Sequence, residues 1–102
     1  MKPYRLFVQG KNFLIKKNSK VMRYGFTQNM FVEADSPSQA KLIAIATTKL
    51  DKELKEITLN SESDPPQINV ETFWELDVLD DISDIDTNRN FFVEKRWWQF
   101  WR

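Results

Sequence analysis

Residues 95–102 read Lys95-Arg96-Trp97-Trp98-Gln99-Phe100-Trp101-Arg102, which places three of the chain's four tryptophans within six positions. An indole is apolar over most of its surface and carries one N–H donor, so it suits a site that is dry at one end and wet at the other. With Lys95, Arg96 and Arg102 interleaved, the chemistry on offer is adsorption. The cations would meet an anionic membrane surface or protein partner while Trp97, Trp98, Phe100 and Trp101 enter the interfacial layer or a groove. Four aromatics in five positions cannot share one side of a strand, and a helix scatters them too. That crowding favours insertion into an interface. The competing expectation is that the four rings fold back and complete the core.

Covalent catalysis has little to work with. The chain has no His and no Cys, which removes the usual acid–base group, the Ser-His-Asp triad, the thiolate nucleophile and the common zinc ligands. Carboxylate, Lys or Tyr chemistry stays open, and an enzyme of that kind is the third-ranked reading. Asp84, Asp86 and Asn88 open like a calcium loop, but its sixth position, which needs Gly, is Arg89, and its twelfth, which needs Glu, is Lys95. The tight turn and the bidentate carboxylate that close such a site are both missing. Arg23-Tyr24-Gly25-Phe26 partly matches an RNA-binding strand motif, but an extra Tyr separates the cation from Gly and Thr27 replaces the next small residue. The sequence thus offers no catalytic, cofactor-binding or metal-ligating set.

The formal net charge of zero conceals a segregated chain. Residues 1–32 carry Lys2, Arg5, Lys11, Lys16, Lys17, Lys20 and Arg23 and no acid, whereas residues 33–86 carry fourteen acids against Lys41, Lys49, Lys52 and Lys55. Residues 87–102 are basic again. Adjacent basic and acidic strands would cancel this field locally; a dipolar surface would draw an anionic partner. At 102 residues the chain is one domain. It has no apolar run near the ~20 residues of a spanning helix, and Met1-Lys2-Pro3-Tyr4-Arg5 lacks the form of a secretory signal, so the cytoplasm is the expected location.

Tyr4, Leu6 and Val8 alternate with Arg5, Phe7 and Gln9, the pattern of a half-buried strand. Gly10 marks a bend, Phe13-Leu14-Ile15 continues the strand, and Lys16-Lys17-Asn18-Ser19-Lys20 turns it into a hairpin. The return strand spans about Met22 to Ala34. Ser36-Pro37-Ser38-Gln39 is a helix start: Ser at the N-cap, Pro at the first turn and Gln completing a capping box. Ala40, Ile43, Thr47, Leu50, Leu54 and Ile57, widened by Leu42 and Ala46, predict a single helix to about Glu56, with Lys49–Glu53, Asp51–Lys55 and Lys52–Glu56 paired on its wet side. A loop through Pro65-Pro66 leads to a strand alternating Ile68, Val70, Thr72, Trp74 and Leu76 against Asn69, Glu71, Phe73, Glu75 and Asp77. An acidic connection over 80–88 precedes a short strand at Asn90-Phe91-Phe92-Val93-Glu94.

One helix covers only one face of a sheet. By alternation Phe7, Phe31 and Phe73 project onto the open face, among Arg5, Gln9, Asn29, Glu33, Glu71 and Glu75. Such rings can pair with a second copy, receive residues 95–102 or stack bases. The acids disfavour nucleic acid, because they repel a phosphate backbone.

Tyr4-Arg5-Leu6-Phe7-Val8-Gln9-Gly10-Lys11-Asn12-Phe13-Leu14, Gly25-Phe26-Thr27 with Phe31-Val32-Glu33-Ala34, and Ser63-Asp64-Pro65-Pro66 with Val70-Glu71 form an ordered set. It resembles a family of small, uncharacterised bacterial proteins over roughly residues 4–78. The resemblance implies a compact α/β domain of bacterial origin and carries over no activity and no catalytic residue. Residues 95–102 depart from that family's pattern.

The expectation is an α+β domain over residues 1–94, β-β-α-β-β, with one helix on a four-stranded, mainly antiparallel sheet, followed by a Trp-rich basic tail over 95–102. Its expected role is non-enzymatic binding through Lys95, Arg96, Trp97, Trp98, Phe100, Trp101 and Arg102, at a membrane surface (the inner membrane, as a peripheral protein) or a protein partner. The rival is a homodimer joined through Phe7, Phe31 and Phe73. Nucleic-acid binding on that face ranks behind both.

Overall fold

In the computed structural model, which describes residues 1–77 and 85–94, the alternation that begins at Tyr4 becomes strand β1 (Lys2–Lys17). It pairs antiparallel with β2 (Lys20–Ala34), from Lys2 opposite Ala34 to Lys17 opposite Lys20. Asn18 and Ser19 join them with φ of 52° and 66°, two left-handed residues whose twist matches that of the strands they connect. Strand β3 (Gln67–Glu75) adds to β1, and β4 (Asn90–Val93) adds to the far edge of β2. The sheet is four-stranded and antiparallel, in the order β3-β1-β2-β4.

Helices α1 (Pro37–Lys49) and α2 (Lys52–Ile57) follow β2, with α1 packed on one face of the sheet. The capping box forms: Ser36 Oγ accepts from the Gln39 N–H at 3.2 Å, and Gln39 Oε1 accepts from the Asp35 N–H at 2.6 Å. The single helix expected to run to Glu56 does not form, so the order is β-β-α-α-β-β. The chain breaks at Leu50–Asp51, where Asp51 turns extended and caps α2, its Oδ1 accepting from the Leu54 N–H at 2.9 Å. An aspartate lies better at an N-cap than in a helix interior, because its short side chain competes for backbone N–H groups. None of the three expected ion pairs forms among the described residues: the break parts Lys49 from Glu53, and capping turns the Asp51 carboxylate to the Leu54 N–H. Among the described residues Asp51 pairs with Arg89 instead, and Lys49 and Lys55 have no acidic partner.

The helix stripe differs as well. Ala40, Ala44, Thr48 and Leu54 face the sheet, whereas Leu42 and Leu50, each 69% exposed, and Ile43 and Ile57 turn outward. Large side chains on the sheet explain this. Tyr4, Leu6, Val8 and Phe26 fill the interlayer, so α1 approaches closely only through small residues. The Thr48 hydroxyl enters this layer because it donates to the Ala44 carbonyl at 2.8 Å.

Phe26 is fully buried and lies across Gly10, its cross-strand partner. A Cβ built on Gly10 would sit 2.1 Å from the Phe26 ring. Gly10 is therefore required as the floor beneath the ring. Phe26 also meets Phe13 at 5.2 Å and Phe91 at 5.7 Å between ring centroids, both tilted. Gly10→Ala should cost about 2–3 kcal/mol by overpacking. In a Phe26→Leu background the same change should cost less than about 1 kcal/mol, read from urea midpoints as a double-mutant cycle.

Candidate functional site

The β1–β2 hairpin ends a short way beyond Ile15, which bridges to Thr58 at the end of α2, and its tip collects charge. Lys16, Lys17 and Lys20 are exposed around the Asn18–Ser19 turn, beside exposed Val21 and Met22. None of the three lysines forms an ion pair among the described residues. Cations alternating with apolar side chains at one end of a ribbon form a surface for an anionic interface. From the sequence these lysines read as a turn within the basic first third of the chain, not as a site; their density, three within five positions, was the available signal.

The far end of β4 is fixed close to this tip. Val93 pairs with Tyr24, and the Glu94 N–H donates to the Arg23 carbonyl at 2.9 Å. Arg23 lies three residues from Lys20, about 10 Å along an extended strand. The Glu94 carboxylate accepts from the Asn12 N–H at 2.7 Å. Asn12 adopts φ of 62° in the bulge between Gly10 and Phe13, next to the bend expected at Gly10. Its Nδ2 donates to Asp64 Oδ1 at 2.8 Å, and its carbonyl accepts from Asn60 Nδ2 at 2.7 Å. Arg23 pairs with Asp64 at 3.7 Å. Three separate chain segments thus hold the point from which residue 95 departs. Residues 95–102, with Lys95, Arg96, Trp97, Trp98, Phe100, Trp101 and Arg102, lie outside the described residues, as does part of the acidic 80–88 connection.

The near end of β4 is held from the helix side. Arg89 donates to Asp51 Oδ2 at 3.1 Å and to Gln28 Oε1 at 3.1 Å, and its guanidinium lies 5.1 Å from the Phe26 ring centroid. Beside it, the Asp86 carbonyl accepts from Asn29 and the Asp86 carboxylate accepts from the Asn88 N–H, so this aspartate serves a turn.

The open face differs from its sequence pattern because β3 contains a bulge. Phe7 pairs with Thr72 but Val8 pairs with Val70, so Glu71 is an extra residue and the alternation inverts after it. Phe73 then lies opposite buried Leu6 on the helix side, with Lys41 Nζ 4.5 Å from its ring centroid. It does not join Phe7 and Phe31, which stay half-buried on the open face. Trp74, 45% exposed, takes its place there, beneath the Arg5 guanidinium at 4.6 Å. Arg5 Nη2 also donates to Asn29 Oδ1 at 3.1 Å. Glu75 moves to the helix side, opposite Tyr4, and pairs with Lys2 at 3.6 Å. Phe92, 43% exposed, covers Gly25 on the open face. Phe7, Phe31, Trp74 and Phe92 are thus the aromatic residues that the four strands present there.

Comparison with known proteins finds no matching family model, no matching curated protein and no matching solved structure. No helix among the described residues is long and apolar enough to cross a membrane.

The Leu54 N–H, and after it the Arg89 hydrogen bond, hold the Asp51 carboxyl below its ordinary value of 3.8. A lowered carboxylate pKa stabilises the fold at pH values above the ordinary range, and this contribution is lost as pH falls through the lowered value. Asp51→Asn keeps a capping acceptor but loses the charge. It should reduce the urea midpoint at pH 7, and its deficit against the parent chain should close by about pH 2.

Proposed function

We propose that this chain is a non-enzymatic binding domain that docks on an anionic membrane surface through the hairpin tip and residues 95–102 acting together. One observation supports the reading: Glu94 is bonded to Arg23, which lies about 10 Å along β2 from Lys20 of the tip. Lys16, Lys17 and Lys20 would then act with Lys95, Arg96 and Arg102, while Trp97, Trp98, Phe100 and Trp101 enter at headgroup depth beside Val21 and Met22. Each cation near an anionic leaflet contributes about 1 kcal/mol, and salt screens that attraction.

Replacing Lys16, Lys17 and Lys20 together by Gln should weaken binding to phosphatidylglycerol-containing vesicles roughly a hundredfold in co-sedimentation. The same variant should leave the urea midpoint within about 0.5 kcal/mol of the parent, because these side chains are exposed surface. Unchanged sedimentation of the triple variant would remove the tip from the contact.

A second reading, a homodimer, draws on the open face. Trp74 now stands across Arg5 from Phe31 on that face, Glu75 has left it, and Phe92 adds an exposed ring opposite Gly25. If this face joins two copies, Trp74→Asp should shift sedimentation velocity from dimer to monomer; one unaltered monomeric species in both proteins would dismiss it.

A further inference from the structure

The break between α1 and α2 opens a pocket of about 290 Å³ at the end of the helical layer. Buried Phe13 and Leu54 contribute to its wall, with Ile68 from β3 and the Pro65-Pro66 turn. The Thr58 hydroxyl, which also lines it, is already committed to the Leu54 carbonyl at 2.6 Å. The wall is otherwise apolar apart from two side chains, Lys49 and Lys55, which are the charged residues of the lining.

Among the described residues neither lysine has an acidic partner. Their expected partners were Glu53 and Asp51, one turn along a continuous helix, but Asp51 has turned away to cap α2 and to hold Arg89. Two lysines lining an otherwise apolar pocket are complementary to a ligand with one carboxylate and a short hydrocarbon body. The volume stands at the lower limit for a small-molecule site of roughly 300 Å³, too small for a two-chain lipid.

We infer that this pocket binds a free medium-chain fatty carboxylate, with its chain against Phe13, Leu54 and Ile68 and its head between Lys49 and Lys55. The site shares no residue with the hairpin tip. Nothing is transformed there: the ligand enters and leaves as the carboxylate.

Amide spectra of the full chain, titrated with octanoate below its micelle concentration and separately with octanol, test this. The expected result is saturable shifts centred on Phe13, Leu54, Thr58 and Ile68, with octanoate bound about tenfold more tightly than octanol. A Lys49→Gln, Lys55→Gln double variant, altered only at exposed side chains, should erase that preference and keep the weaker octanol binding. An absence of saturable shifts at these four residues overturns the inference. So do shifts centred on the hairpin tip or the open face, and so does a double variant that still prefers octanoate.

Discussion

The architecture depends on one close approach: a phenyl ring lying where a second side chain would otherwise be. Phe26 occupies the space above Gly10, so the long hairpin is pinned at that rung. Three other side chains meet the same ring. Phe13 touches it from the lower half of β1, Phe91 from β4, and the Arg89 guanidinium caps it while holding Asp51 at the start of α2. A ring in this position brings β1, β2, β4 and the Arg89 side chain to one point, and a methyl group on residue 10 would strike it.

Two single-residue decisions then distribute the surfaces. Asp51 leaves the helix to become a cap, which ends α1, turns Leu50 outward and separates Lys49 and Lys55 from their carboxylates. Glu71 is inserted as a bulge, which exchanges Phe73 and Glu75 for Trp74 on the open face. Neither change alters the topology, yet between them they determine which cations lack partners and which aromatics meet solvent.

This division also explains what could be read from the residues alone. The strands were legible because period-two alternation at Tyr4, Leu6 and Val8 is local, and the helix start was legible because Ser36 and Gln39 lie three residues apart. The break was not, because Leu50 and Leu54 keep a helical spacing across it while the contact that favours it comes from Arg89, far along the chain. The inversion at Glu71 was equally hidden, since strand register is settled by the partner, and one extra residue transfers every later side chain to the other face. The stripe on α1 was misassigned for a related reason: hydrophobicity favoured Leu42 and Ile43, but the bulk already on the sheet admitted only Ala40, Ala44 and Thr48. Of the candidate surface, the aromatic and basic character of residues 95–102 was plain, whereas the position of Glu94, three residues along β2 from Lys20, needed the Glu94–Arg23 pairing.

The proposed membrane role rests on the Trp-rich segment and the lysine tip acting at one place, and tryptophan emission tests it most directly. In a Trp74→Phe protein only Trp97, Trp98 and Trp101 report. With vesicles containing phosphatidylglycerol, their emission should shift to shorter wavelength, and added salt should reverse the shift as the cations are screened. Emission that is the same with and without these vesicles would contradict the account.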